Sequence, residues 1–294
     1  MTARQWAILL LLAALWGAAF LFMRVAAPVL GPVWLIEWRV LIAGVALLPL
    51  ILRRHHLQAM LQHYKPLLLV GLLNAALPFT LFAYATTYLD AGVTSILNAT
   101  VPIFGLVFAY LVLKEQLGLA RIAGIVCGFF GVTVLIGGFR SGSDGLPLLP
   151  VLSCLLAAFC YVLAAHYTRL RLADMSPLVF VTGSQLAAAL LLLPFLPFTV
   201  PQHSVGVAVM VSVAGLALLS TALAFVLYFR LLREVGLSQT LTVAYLIPLF
   251  GVLWGSWLLG ERLDYLQVAG GGLILLGVAL ANGVRVAHRK AAGG

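Results

Sequence analysis

Two opposite charges, Glu37 and Arg39, stand two residues apart inside the otherwise apolar run 33–52. Ionised side chains in such a run are costly, so each implies a partner, water or a ligand of opposite sign. A step of two residues turns an α-helix by about 200°, so the pair cannot meet on one face. Arg24, near the end of the preceding apolar run, is the better partner for Glu37. Two readings stand: both charges reach water at a membrane surface, or one faces the interior and meets the charged end of a solute. Uncharged polar groups recur along the chain. Asn74 and Asn98 (with Thr94, Ser95 and Thr100 nearby), His166, Gln185 and Ser184 all fall within apolar runs. Each serves as an interhelical hydrogen bond or as a cavity wall that recognises solute polar groups. His166 is the only histidine in such a run, and imidazole titrates near neutral pH. Trp16, Tyr84 and Tyr245 belong to interfacial aromatic belts or line a cavity in which an apolar or aromatic side chain stacks.

The elements that must hold these residues are membrane spans. The chain has 294 residues, 64% hydrophobic and only 9% charged, with a mean hydropathy of +1.15. A soluble domain carries about 25% charged residues. About 20 apolar residues cross a bilayer as a helix, which places spans near 6–27, 33–52, 66–86, 92–113, 119–139, 147–167, 177–198, 205–229, 236–259 and 265–285. The net charge of +9 sits in the short loops rather than in a nucleic-acid-binding patch. Arg4, Arg53, Arg54, Lys65, Lys114, Arg121, Arg169, Arg171, Arg230, Arg233, Arg285, Arg289 and Lys290 share one side. Arg140 and Arg262, with Asp90, Asp144, Glu261 and Asp264, share the other. That bias predicts cytoplasmic termini. The first run is too long for a cleaved leader and stays as a span. Cys127, Cys154 and Cys160 lie in apolar runs without metal-ligand spacing and read as packing residues.

The chain also repeats. A shift of 145 residues places Pro32 on Pro177; one more residue places Pro102, Gly105, Leu113, Glu115, Gly124 and Gly131 on Pro248, Gly251, Leu259, Glu261, Gly270 and Gly277. Five spans per copy, an odd number, turn the second copy over in the bilayer, a build that lets two halves exchange conformations. The predicted units are 1–140 and 147–286, followed by a short basic cytoplasmic tail, 287–294. Gly251-x-x-x-Gly255, answered by Gly105-x-x-x-Ala109, lets helices approach closely, as do Gly124-x-x-x-Gly128 and Gly270-Gly271-Gly272. Pro102 and Pro248, each within a span, remove a backbone hydrogen bond and read as a matched pair of hinges.

Several of these elements resemble the drug/metabolite transporter superfamily, in its ten-helix EamA-type members: Trp16-Gly17-Ala18-Ala19-Phe20 in the first span, Arg39 in the second, and the doubled Pro…Phe-Gly…Leu-x-Glu…Gly pattern over 102–131 and 248–277. Within it, the aromatic amino acid exporters of the YddG type look most similar. The resemblance implies helices of both halves around a central substrate cavity, with the last helix of each repeat supporting packing. The second repeat departs from the pattern at its start, where Cys160 takes the place of Trp16 and no arginine answers Arg39.

The expectation is therefore an all-α membrane protein of ten helices, two inverted five-helix repeats around a cavity, in a bacterial inner membrane. Its function would be export of small amphipathic metabolites, foremost amino acids, by alternating access. The partners are a small solute and the bilayer; no cofactor or metal is implied, and one chain holds a complete inverted pair, so a monomer suffices. The interior has too few cations for a di- or trianion. Coupling stays open between facilitated diffusion and proton exchange at Glu37 or His166. The competing class, an intramembrane enzyme, lacks a nucleophile motif: the chain reads Thr182-Gly183-Ser184-Gln185 rather than Gly-x-Ser-x-Gly.

Overall fold

The computed structural model describes residues 1–137, 145–201 and 204–283, and every regular element among them is helical. Ten apolar segments form the fold: α1 (Ala3–Leu30), α2 (Pro32–Ile51), α3 (Tyr64–Tyr88), α4 (Ala91–Leu111), α5 (Leu119–Ile136), α6 (Leu148–Arg171), α7 (Pro177–Phe198), α8 (Val207–Val235), α9 (Val243–Leu259) and α10 (Tyr265–Gly283). The first eight are long and apolar enough to cross a membrane, and α9 and α10 are shorter apolar helices. The chain is a multi-pass, all-α membrane protein. The predicted basic tail and the charges Arg140, Asp144, Arg285, Arg289 and Lys290 lie outside the described residues.

Local chemistry sets the boundaries. Thr2 and Gln5 form a capping box at the start of α1. Gly31 then turns the chain with φ of 74°, a conformation only glycine adopts without strain. Pro32 and Pro177 open α2 and α7, where a missing N–H leaves no bond unmade. The expected ninth span is interrupted: Leu237–Thr240 forms a separate turn of helix before α9 begins at Val243. Pro102 does not kink a continuous helix. α4 breaks at Ala99–Thr100 into Ala91–Asn98 and Val101–Leu111, and Pro102 sits in the first turn of the second piece. Pro248 lies inside an unbroken α9.

The packing of the two halves is reciprocal. α1 rests on α8 and α9, and its counterpart α6 rests on α3 and α4. α2 packs on α7, and each of these also meets the third helix of the opposite half, α8 or α3. Those third helices both widen into a π-helical stretch, Leu72–Ala76 in α3 and Gly215–Leu223 in α8. In α3 the cause is Pro78, which cannot donate to the carbonyl four residues earlier, that of Asn74. Such widenings concentrate at functional sites.

α5 and α10 pair with each other and join the rest of the bundle chiefly through α4. Their seam is glycine on glycine. A methyl at Gly277 would lie 2.7 Å from both the Gly124 carbonyl and the Gly128 nitrogen, whereas one at Gly272 would meet nothing within 4 Å. Gly277→Ala is therefore expected to lower the thermal unfolding temperature, because overpacking costs about 1–3 kcal/mol. Gly272→Ala is expected to leave it unchanged or raise it, since alanine favours a helix by about 1 kcal/mol over glycine. Unfolding curves of the purified variants decide between seam packing and propensity alone.

Candidate functional site

The reciprocal packing brings the third helices, with their π-helical stretches, against α2, and Arg39 projects between them. Arg39 is 5% exposed. Its Nε donates to Thr221 Oγ1 at 3.0 Å, from the π-helical stretch of α8. Its guanidinium carbon lies 3.5 Å from the centroid of the Phe79 ring, three residues beyond the π-helical stretch of α3. A terminal nitrogen lies 3.9 Å from Met23 Sδ on α1. Among the described residues no carboxylate lies within ion-pair distance of it. A guanidinium carries five N–H donors, and these contacts leave most of them without an oxygen. A buried cation–π contact supplies about 2 kcal/mol against a desolvation cost of several.

Two aromatic clusters occupy matching positions in the two repeats. Trp16 of α1 packs against Phe225 and Tyr228 of α8, with ring centroids 6.2 and 5.4 Å away. Tyr161 of α6 packs against Phe79 and Phe82 of α3 at 6.5 and 6.1 Å. Phe79 and Phe82 correspond to Phe225 and Tyr228 at a shift of 146 residues, and Trp16 to Tyr161 at 145. The expectation that Cys160 stands in Trp16's place is thus corrected by one residue. Cys160 is buried, and the aromatic role passes to Tyr161. Sequence reading overlooked this arrangement, although an aromatic pair with i, i+3 spacing recurring at the repeat shift was its signature. Arg39 has no such counterpart, so among the described residues a symmetric frame holds a single buried arginine.

The other singled-out residues are dispersed. Glu37 is 3% exposed, with Oε2 lacking a hydrogen-bond partner. The expected Arg24–Glu37 pair does not form. Gln185 is fully buried and neither side-chain polar atom has a partner. One turn before it, Val181 packs with Ala43 and Leu47 of α2 and Ala222 of α8, so Gln185 lies one turn from the contact of α7 with α2 and α8. Asn74 is half-buried in the π-helical stretch of α3, and Asn98 half-buried just before the break in α4. Tyr84 packs on Tyr88 at 5.1 Å, and the half-buried His166 on Phe108 at 5.1 Å. The Tyr245 hydroxyl donates to the Val278 carbonyl at 3.3 Å and ties α9 to α10. Ser184 is fully buried, and its hydroxyl donates to the Val181 carbonyl at 2.9 Å.

Arg24 serves one end of the bundle instead. It donates to the carbonyls of Thr86 and Thr87 at 2.9 and 3.0 Å and approaches Asp90 at 3.8 Å and Glu261 at 3.7 Å. The Glu261 carboxylate in turn accepts the backbone N–H groups of Ala91 and Gly92 at 3.0 and 3.4 Å. Burial pushes the Glu261 carboxyl above the usual carboxylate range, against the pull of those two N–H groups and Arg24. Beside this cluster α1, α4 and α9 close tightly. A methyl at Gly17 would meet Phe250 and Gly251, and one at Gly251 would meet Ser95.

Comparison with known proteins gives the following. The model of the EamA-like transporter family matches residues 4–137 and 148–283. An "uncharacterized transporter" of Archaeoglobus fulgidus is 24% identical over 278 residues, 94% of this chain and 97% of that protein. The "uncharacterized inner membrane transporter YedA" of Escherichia coli K12 is 27% identical over 90% of this chain and 86% of its own length. A "probable terminal-alkyne amino-acid exporter" of Streptantibioticus cattleyicolor is 27% identical over 98% of this chain and 96% of its own. One crystal structure superposes with a TM-score of 0.64 at 18% identity, covering 97% of this chain and 99% of that one, a likeness of fold.

Proposed function

This chain belongs to the EamA-like transporter family, and we propose that it exports amino acids with apolar or aromatic side chains by alternating access. The observation that carries the reading is Arg39: a buried guanidinium, without an acidic partner among the described residues, lying on Phe79 of one of two matched aromatic clusters and bonded to Thr221, one turn before Phe225 of the other. A carboxylate is the ligand a planar guanidinium pairs with best, through two parallel N–H···O bonds. An apolar or aromatic side chain is what Trp16 and Tyr161 with their partner rings would stack upon. A single cation suits a monocarboxylate. The amino-acid exporter of S. cattleyicolor adds support for the class of solute. The basic loops favour cytoplasmic termini in an inner membrane, with the Arg24–Glu261 end outward.

Proton coupling is the second reading, and the unpartnered Glu37 carboxyl favours it. Flux in proteoliposomes separates the two. Labelled phenylalanine, tryptophan and leucine are expected to show saturable counterflow. Acceleration by a pH gradient that disappears in Glu37→Gln would assign coupling to that residue. Trp16→Ala and Tyr161→Ala are each expected to raise KM for phenylalanine roughly five- to tenfold, the scale of one lost aromatic contact with its buried area. KM for leucine should move less. Equal shifts for both substrates would argue against stacking.

A further inference from the structure

The two ends of the bundle are in different states although the sequence repeat makes them counterparts. At the Arg24 end, Glu261 binds the N–H groups that open α4 while Arg24 bridges it to α3. The repeat shifts carry Glu261 onto Glu115, Arg24 onto Arg169, and Ala91 and Gly92 onto Leu237 and Ser238. At that opposite end, among the described residues, these counterparts are not joined. Glu115 and Arg169 are both exposed, and among the described residues neither takes part in an ion pair. The helix seams differ in the same sense. A methyl at Gly251 would strike Ser95, whereas one at its counterpart Gly105 would meet nothing within 4 Å. Ala91–Asn98 packs on α9, while Val101–Leu111 packs on α5, α6 and α10. The structure is closed at the Arg24 end and parted at the Glu115 end.

We propose that Glu115 and Arg169 are the second latch of the transport cycle: in the alternate state Glu115 accepts the backbone N–H groups of Leu237 and Ser238 and pairs with Arg169, as Glu261 and Arg24 now do at the other end. This rests on the alternating-access reading above. The two latches are unequal. Arg24 has a second carboxylate in Asp90, whose counterpart is Gly236. The nearby Glu234 is held by Arg230 at 3.1 Å. The Glu115 latch therefore has one acid where the Glu261 latch has two, and the closed Arg24 end is the resting state.

The test is distance measurement by pulsed electron spin resonance in lipid nanodiscs, which reads conformation without reading flux. Spin labels go on Leu119→Cys and Arg233→Cys, both exposed at the parted end, with Cys127, Cys154 and Cys160 replaced by alanine. Wild type is expected to show the long distance, and Glu261→Ala to populate a shorter one. Adding Glu115→Ala to Glu261→Ala should deplete the short-distance fraction at least fivefold, and Glu115→Gln, which still accepts N–H bonds, should deplete it less. Arg169→Ala should fall between them. A short-distance fraction that ignores Glu115, or that never forms on loss of Glu261, overturns the latch. If the distances shift as expected but no amino acid is carried, the substrate reading fails and the latch stands. Because Glu115 is exposed and without side-chain partners, its variants should purify like wild type, so lost folding does not mimic the result.

Discussion

Replacing Arg39 with methionine is expected to abolish solute flux and to leave the thermal unfolding temperature equal to or above that of the wild type. The two halves of this expectation follow from the same fact. A buried charge whose removal strands a carboxylate destabilises by about 3–5 kcal/mol, but Arg39 has no carboxylate to strand. What it loses is the bond from Nε to Thr221 and the contact with Phe79. The Thr221 hydroxyl already donates to the Leu216 carbonyl at 2.8 Å, so no donor is orphaned. Against those losses stands the desolvation cost of an ion with most donors unused, several kcal/mol. Methionine is close in length and needs none of it repaid. On the function proposed above, solute binding depends on those free donors. Arg39→Lys retains the charge but not the planar fork, and is expected to transport at least about tenfold more slowly, a loss of 1.4 kcal/mol in solute binding. Flux in proteoliposomes and unfolding curves on the same preparations test both halves. A methionine variant that carries solute normally removes Arg39 from the site. One that cannot be purified makes it a structural residue.

Much of this architecture is visible in the sequence because membrane helices advertise themselves by length and apolarity, and repeats by spacing. The Pro102–Gly131 pattern recurring at 248–277 was enough to predict two five-helix halves. The site was legible only in part. Arg39 stands out in an apolar run because a charge there is expensive, but nothing local distinguishes it from Glu37, which ends on the other side of the helix with no partner for Oε2. Phe79, Phe82, Tyr161, Phe225 and Tyr228 are ordinary residues for a membrane helix. Their meaning lies in which helix faces which, and packing decides that. The widened turn at Gly215–Leu223 that presents Thr221 carries no proline, and the one glycine at its start, Gly215, is a weak signal because glycine is frequent in membrane helices. The repeat misled in one respect: it made Pro102 and Pro248 look like twin hinges. α4 is broken just before Pro102, whereas α9 runs on through Pro248.

Gly105→Val should fold as well as the wild type and yet lose at least about tenfold in turnover, the equivalent of roughly 1.4 kcal/mol on the barrier. In the present arrangement a side chain at 105 enters open space. Valine is no worse than glycine in a helix, so stability should not fall. The counterpart position is different. A methyl on Gly251 would strike the Ser95 side chain, because α4 and α9 close there with a glycine at the contact. If the halves exchange conformations, Gly105 must take up the place that Gly251 holds now, against the residue matching Ser95. That residue is Leu241, at present 49% exposed, and larger than serine. A valine at 105 would then obstruct closure of the parted end and hold the protein in the state seen here. Gly251→Val should act in the opposite sense, lowering the unfolding temperature because it clashes with the state already populated. Turnover and unfolding measured together for the two variants distinguish this from a simple packing role. Two glycines needed only for packing would fail alike, and wild-type turnover in Gly105→Val would mean that the seam at 105 never closes.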